Sequence, residues 1–441
     1  MHAARPRSAR GLRTSGAGSF SRGRGVTGSG DRSALRQGRL KSIGPAIIVG
    51  SVVLGPGSIL AASRVGCDVG YGLLWVVVGS TALMIGMTAL SARLGTALPA
   101  TIGDELARRI GRPLTAFVGV VLFLVVACFQ FSNNIGVIAA VKPLVEESPV
   151  WPIVLIMVLN AGVIGAQFGL RRLYRPVERT AKVLVGLMLI GFLGNMVFAG
   201  PSLGAILGGL RPRFPAGADL AAVTALIGTT FSVAGAFYQC YLVRQKGWTR
   251  KDSDRGSLDS LMGISILGFL TMVVMITAAS VLHGKVEGVQ LSGAEDVSRE
   301  LEPLFGPVAK VLFCVGLLAG AFSSFLVNVM IGGTVLSDCL GLGADMDGRW
   351  PRRLTIVALL TGMVVALIVQ RTGHSPVHLV VFAQGLTVLG NPVLAIVLLG
   401  LAMSRDEFGR RAAPLWMRIL ATIGLGVVIV LAWRTAVRVF F

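Results

Sequence analysis

The 441-residue chain carries 41 Lys and Arg against 21 Asp and Glu, a formal charge of +20, yet only 14% of it is charged and 54% is hydrophobic. A soluble domain holds about 25% charged residues because its surface must be solvated, so this composition excludes an ordinary water-soluble enzyme. The apolar residues fall in blocks of roughly 20, the length that crosses a ~30 Å hydrocarbon core as a helix, and they lack the period-two alternation of a barrel strand.

Residues 1–41 hold ten Arg or Lys and one acid, Asp31, among many Gly and Ser. Such a segment cannot bury enough apolar surface to fold and reads as a disordered basic cytoplasmic tail. Its expected partner is the anionic headgroup of membrane lipid rather than nucleic acid. It has no apolar core of its own before the first long span and no small-residue cleavage site, so it is not read as a secretory signal.

Residues 42–441 read as one transmembrane transporter domain with about eleven helices, near 43–65, 70–92, 114–141, 151–169, 180–199, 219–243, 257–282, 306–340, 353–370, 377–402 and 413–434. Loop charge sets the orientation, because basic loops stay on the cytoplasmic side. The tail goes inside, and alternate loops agree, for example Arg244, Lys246, Arg250 and Lys251, then Arg349, Arg352 and Arg353, then Arg405, Arg410 and Arg411. The loop at 283–302 carries Glu287, Glu295, Asp296, Glu300 and Glu302 and goes outside. The expected location is therefore the plasma (cytoplasmic) membrane, with the amino terminus cytoplasmic. Trp75, Trp151, Trp248, Trp350, Trp416 and Trp433 lie near span ends, where an interfacial aromatic belt belongs.

Two spans carry interruptions. Span one has Gly55-Pro56-Gly57-Ser58 at its middle. Pro56 removes a backbone donor, and the glycines loosen the flanking turns. Span six has Gly228, Thr229, Thr230 and Ser232 near its middle and no proline. Paired interruptions five spans apart predict an inverted repeat, 42–200 followed by 218–402, with 413–434 as an extra helix. Backbone groups freed at such breaks are tolerated only where they line a cavity or hold a ligand. The plainer alternative is that each is a packing kink.

The five cysteines, Cys67, Cys128, Cys240, Cys314 and Cys339, form no CxxC pair and read as free thiols. There is no HExxH spacing and no phosphate-binding GxxxxGK[ST] loop, so neither a zinc enzyme nor an ATPase is indicated, and no cofactor is expected.

At the interrupted spans the chain resembles the NRAMP family of divalent-metal transporters, which have the LeuT-type inverted-repeat fold. The likeness continues in GYGLLWVVV at 70–78, ARLGTALPATIGDELARR at 92–109, LIGTT at 226–230, GLLAGAFSSFLVNVMIGGTVLSD at 316–338 and Gln384 in FAQGLTVLGNP. The resemblance implies a substrate site between the two breaks, contributed by Val52, Gly55, Ser58, Thr229, Ser232 and Gln384.

The departures lie within that site. The family's DPGN metal motif is Gly55-Pro56-Gly57-Ser58 here, and its MPH motif is Ser232-Val233-Ala234. The carboxylate, the thioether and the histidine are all missing. Loss of soft sulfur removes selection for Mn or Fe. Loss of the carboxylate removes the charge that a dehydrated divalent ion requires at the midplane. The remaining hydroxyls, amide and carbonyls suit a hydrated Mg²⁺ or a monovalent or organic solute. The family's proton-relay acids of span three appear as Gln130 and Asn133, and its span-six histidine as Ala234, none of which carries a proton at neutral pH. The expectation is a secondary transporter of a Mg-like divalent cation, without proton coupling. A carrier of a small organic solute such as an amino acid, and a sensor that no longer transports, stay open. Asn160, Asn195, Asn328, Gln239 and Asn391 are expected to hydrogen-bond between helices.

Overall fold

The computed structural model describes residues 44–145, 150–169, 174–215, 218–284, 306–372, 376–404 and 413–440. The basic tail, the acids of the 283–302 loop and the Arg405–Arg411 loop lie outside them. Nine described helices are long and apolar enough to cross a membrane, and the bent pair Pro45–Val53 and Pro56–Val69 makes a further span. Trp151–Gly169, with a shorter apolar stretch, stands where span four is expected.

The spans follow the expected order: Leu74–Ala97, Arg112–Val141, Trp151–Gly169 and Tyr174–Ala199 complete the first half. Leu220–Thr230 with Val233–Gln245, then Ser253–Val281, Pro307–Cys339, Arg349–Thr372 and Pro376–Met403, form the second, and Leu415–Phe440 is the extra helix. The fold is an all-helical membrane bundle of the LeuT type.

Both interruptions are present. Span one breaks at Leu54 and Gly55 and turns by 57°. Span six breaks at Phe231 and Ser232 but still passes as one continuous span. The difference follows from composition. Pro56 both lacks an N–H and excludes a helical carbonyl beneath it, whereas span six lacks proline and its second half restarts on a serine cap. Ser232 accepts from the Gly235 amide at 3.3 Å.

The broken helices run through the centre. Every residue of Pro45–Val53 is buried, and 78% of the apolar window of span six is buried, against 28% for spans nine and eleven. The outer spans instead expose large apolar side chains such as Val364, Ile368, Val430 and Trp433, which suits a lipid surround. The second half of span six packs on the first half of span one, and the first half of six on the second half of one. Span eight lies against spans three, five and nine, and span ten against three, six and eleven.

Span seven holds span one at both ends. Its Asp259 accepts from the Gly44 amide at 2.7 Å and the Ala46 amide at 2.8 Å, closing the start of the first half. Two of the orphan donors of a helix start are thereby satisfied by a charged acceptor. At the far end Ser280 Oγ lies 2.6 Å from the Tyr71 hydroxyl, and the exposed His283 places Nδ1 2.8 Å from the Cys67 carbonyl. Between these ties Gly50 and Gly263 let the two backbones touch; a β-carbon on Gly50 would stand 3.1 Å from the Gly263 carbonyl oxygen.

A short amphipathic helix, Ile102–Ile110, joins spans two and three. Thr101 caps it by accepting from Asp104 N, with acids in its first turn and Arg108 and Arg109 in its last, as the helix dipole favours. It is latched by Asp338 at the end of span eight, which accepts from Thr101 Oγ1 at 2.6 Å, Gly103 N at 2.8 Å and the span-six Tyr241 hydroxyl at 2.7 Å. The five cysteines are free thiols.

Candidate transport site at the two helix breaks

An uninterrupted helix would pair the carbonyls of Ser51, Val52 and Val53 with the amides of residues 55, 56 and 57. The break cancels those bonds, and Pro56 has no amide to give. Three serine hydroxyls take over. Ser323 Oγ donates to Ser51 O at 2.9 Å, Ser324 Oγ to Val52 O at 2.8 Å, and Ser58 Oγ to Val53 O at 2.5 Å. All three freed carbonyls are thus satisfied inside the protein.

The remaining site positions are as buried as these. Gly55 caps the second half of span one in extended conformation, with φ −87° and ψ −178°. A β-carbon there would meet Ser324 Oγ at 2.7 Å and Asn133 Oδ1 at 3.2 Å. The space beside Gly55 is therefore occupied by a hydroxyl from span eight and an amide from span three. Asn133 Nδ2 faces Gln130 Oε1 at 3.4 Å, so these two amides of span three pair with each other, and Gln130 Nε2 is buried without a partner.

Gln384 of span ten lies over the break. A β-carbon on Gly57 would fall 2.2 Å from Gln384 Nε2, which donates to Ser132 Oγ at 2.8 Å. Its Oε1 is buried and unpartnered. One turn on, Val388 covers Gly228, where a β-carbon would stand 2.5 Å away, so span ten touches both interrupted helices. In span six Thr229 Oγ1 turns back to Ala225 O at 2.9 Å and Leu226 O at 3.2 Å, while the Thr230 hydroxyl is buried and unpartnered. Ala234 is buried and contributes a methyl group. Gly235 lies against Val49 and Val53 of span one, which brings the two breaks together.

The sequence reading names Val52, Gly55, Ser58, Thr229, Ser232 and Gln384, and all six stand at the breaks. Their side chains do not converge as free ligands. Ser58 bonds across the break to the first half of its own span, Thr229 bonds within its own helix, and Ser232 serves as a cap. Ser323 and Ser324 stand outside that set, although two adjacent hydroxyls in the apolar GAFSSF stretch are a usable signal. Asn328, expected to bridge helices, instead donates to Ser324 Oγ one turn back in its own span at 2.8 Å. Asn160 does bridge, reaching Asn134 Oδ1 at 2.8 Å. Gln239 reaches Asp259 at 3.4 Å. Among the described residues no group of three or more His, Cys, Asp or Glu could hold a metal.

Two interrupted helices lying across each other at the centre of a LeuT-type bundle define an integral membrane protein of the secondary-transporter class. The model of the natural resistance-associated macrophage protein-like family matches residues 46–438, and the chain belongs to that family. It is 26% identical over 379 residues to the Deinococcus radiodurans divalent metal cation transporter MntH, covering 84% of this chain and 83% of the relative. Its fold matches the Eremococcus coleocola manganese transporter with a TM-score of 0.78 at 17% identity, over 91% of this chain and 87% of that one. It matches MhsT, solved with L-phenylalanine, with a TM-score of 0.57 at 15% identity, over 88% of this chain and 98% of that one.

Proposed function

We propose that this chain moves a divalent cation across the membrane by alternating access, selects a Mg-like ion over Mn or Fe, and does so without moving protons. The divalent cargo is supported by the printed function of its relatives, divalent metal cation transporters. The selectivity rests on one observation: Ser324 Oγ and Asn133 Oδ1 fill the space at Gly55 that a carboxylate would need. Without that charge a dehydrated transition ion at this depth is uncompensated. Mg²⁺ gives up its waters reluctantly and is commonly held through them. Gln384 Oε1 and Thr230 Oγ1, both buried without partners, are acceptors suited to such waters. The family's relay positions hold Gln130, Asn133 and Ala234, which supports uncoupling from protons.

The expected setting is the plasma membrane, with the basic tail on the cytoplasmic side against anionic lipid. The test is uptake into proteoliposomes of Mg²⁺, of Mn²⁺ and of a panel of amino acids, with a pH dye inside. Mg²⁺ uptake without a pH change is expected. Micromolar Mn²⁺ uptake, amino-acid uptake alone, or acidification driven by substrate overturns the reading.

A further inference from the structure

Span two ends beside the segment that leads from span six into span seven. The last carbonyls of a helix have no amide of their own to meet. Here two arginines take them. Arg244 Nη1 donates to Leu98 O at 2.9 Å and to Ala100 O at 2.8 Å, and Arg250 donates to Ala97 O through Nη2 at 2.9 Å and Nε at 3.2 Å. The helix dipole favours cations at that end. An open cavity of about 830 Å³ lies between the two segments, lined among others by Gly95, Leu98, Arg244, Trp248, Arg250 and Lys251. Residues 244–255 carry five bases, Arg244, Lys246, Arg250, Lys251 and Arg255, against two acids, Asp252 and Asp254. Both acids are engaged locally. Asp252 accepts from the Thr249 amide at 3.0 Å and its hydroxyl at 3.1 Å, and Asp254 pairs with Arg93 of span two at 2.5 Å. Arg244 commits only Nη1 to the carbonyls, which leaves Nε and Nη2 for a further acceptor. Lys251 is exposed.

We propose that this cavity holds the headgroup phosphate of an anionic phospholipid, with Arg244, Arg250 and Lys251 as its donors. A guanidinium matches phosphate oxygens in a planar fork, and an ammonium adds a point charge. Basic pockets between membrane helices on the cytoplasmic side take such headgroups, and loop charge puts this segment on that side. Trp248 lines the cavity with Lys246 and Arg255 over its ring, 5.3 Å and 5.4 Å from the centroid, and a tryptophan suits the headgroup level. Span seven argues for a lipid over a soluble anion. Its Leu258, Leu261 and Phe269 are exposed, and their spacing puts them on one helical face with Asp254. Asp254 ties the foot of that face to Arg93, two residues before the cavity-lining Gly95. An acyl chain leaving the cavity thus has an apolar strip to lie along. The bound headgroup joins the end of span two to the loop after span six and stabilises their contact.

The test is thermal unfolding of the full chain in detergent, titrated with phosphatidylglycerol, with phosphatidylcholine or with inorganic phosphate. Phosphatidylglycerol is expected to raise Tm saturably, and the other two to leave it unchanged. Lys251→Gln is expected to raise the half-saturating lipid fraction about five-fold, and Arg250→Gln/Lys251→Gln about 25-fold, from the usual contribution of one basic residue at an anionic surface. Arg349→Gln, an exposed base on another inside loop, is expected to change nothing. Arg250 also caps Ala97, so should the double variant not fold, Lys251→Glu replaces it and is expected to weaken binding more than Lys251→Gln. The amino-terminal tail is the same in every variant, so its charge cannot produce these differences. An equal shift by phosphatidylcholine, a shift by inorganic phosphate alone, a half-saturation unmoved by the Lys251 variants, or an equal loss in Arg349→Gln overturns the proposal. The readout involves no cargo, so it stands or falls independently of Mg²⁺ transport.

Discussion

Ser324 and Gly55 share one space: the Ser324 hydroxyl stands 2.7 Å from where a β-carbon on Gly55 would lie, while it donates to the Val52 carbonyl at 2.8 Å. The two positions belong to different halves of the fold, yet each permits the other. A side chain at 55 would expel the hydroxyl, and the hydroxyl caps a carbonyl that the break left without its amide.

Gly55→Asp alone should therefore destabilise the protein by about 1–3 kcal/mol, the range for overpacking a tight interior. Adding Ser324→Gly, which vacates the space, should recover at least about 1 kcal/mol of that loss, as expected for residues in direct contact. Thermal unfolding of the four members of the cycle measures the coupling. Strict additivity would contradict the shared-space finding.

Asp259 carries the start of span one through two amide bonds. Asp259→Ala leaves the Gly44 and Ala46 amides without an acceptor and should cost roughly 2–6 kcal/mol, from about 1–3 for each buried group. Asp259→Asn keeps one acceptor oxygen and should cost less. Hydrogen exchange at Gly44 and Ala46 should quicken in the order wild type, Asn, Ala; unchanged protection in the Ala variant would refute the cap.

Tyr241→Phe should weaken the latch between span six and the helix Ile102–Ile110. The Asp338 carboxylate then keeps two of its three partners. A hydrogen bond to a charged group is worth about 1.5–3 kcal/mol, and the loss should appear in Tm. In an Asp338→Ala background the same change should cost far less, because its partner is already absent.

Uptake by the wild type should stay flat between pH 5.5 and 7.5, since Gln130, Asn133 and Ala234 at the breaks carry no group that titrates there. Gln130→Glu places a carboxyl beside Asn133, whose amide already faces residue 130 at 3.4 Å. Uptake by this variant should acquire a pH dependence in that interval. A wild type that is itself strongly pH-dependent would show that a group elsewhere carries protons.

Much of this molecule is legible in the residue order. Blocks of apolar residues and the charges between them mark the spans, because length and desolvation leave a lipid-embedded chain few choices. Pro56 with its glycines marks the sharper break, because a missing amide and a ring clash act locally. The softer break at Phe231 and Ser232 is legible only through its place five spans later. The neutrality of Gly55, Ser232 and Ala234 is likewise written in the sequence. Which atoms meet at the break is not. Ser323 and Ser324 lie 272 residues from the carbonyls they cap, and no local preference tells which helix will cross span one at that level. Ser58 and Thr229 look like open ligands on paper, yet the fold turns the first across the break onto Val53 O and the second back onto its own helix. Whether a buried hydroxyl is a cap or a ligand depends on the nearest carbonyl in space, and only the packed bundle decides that.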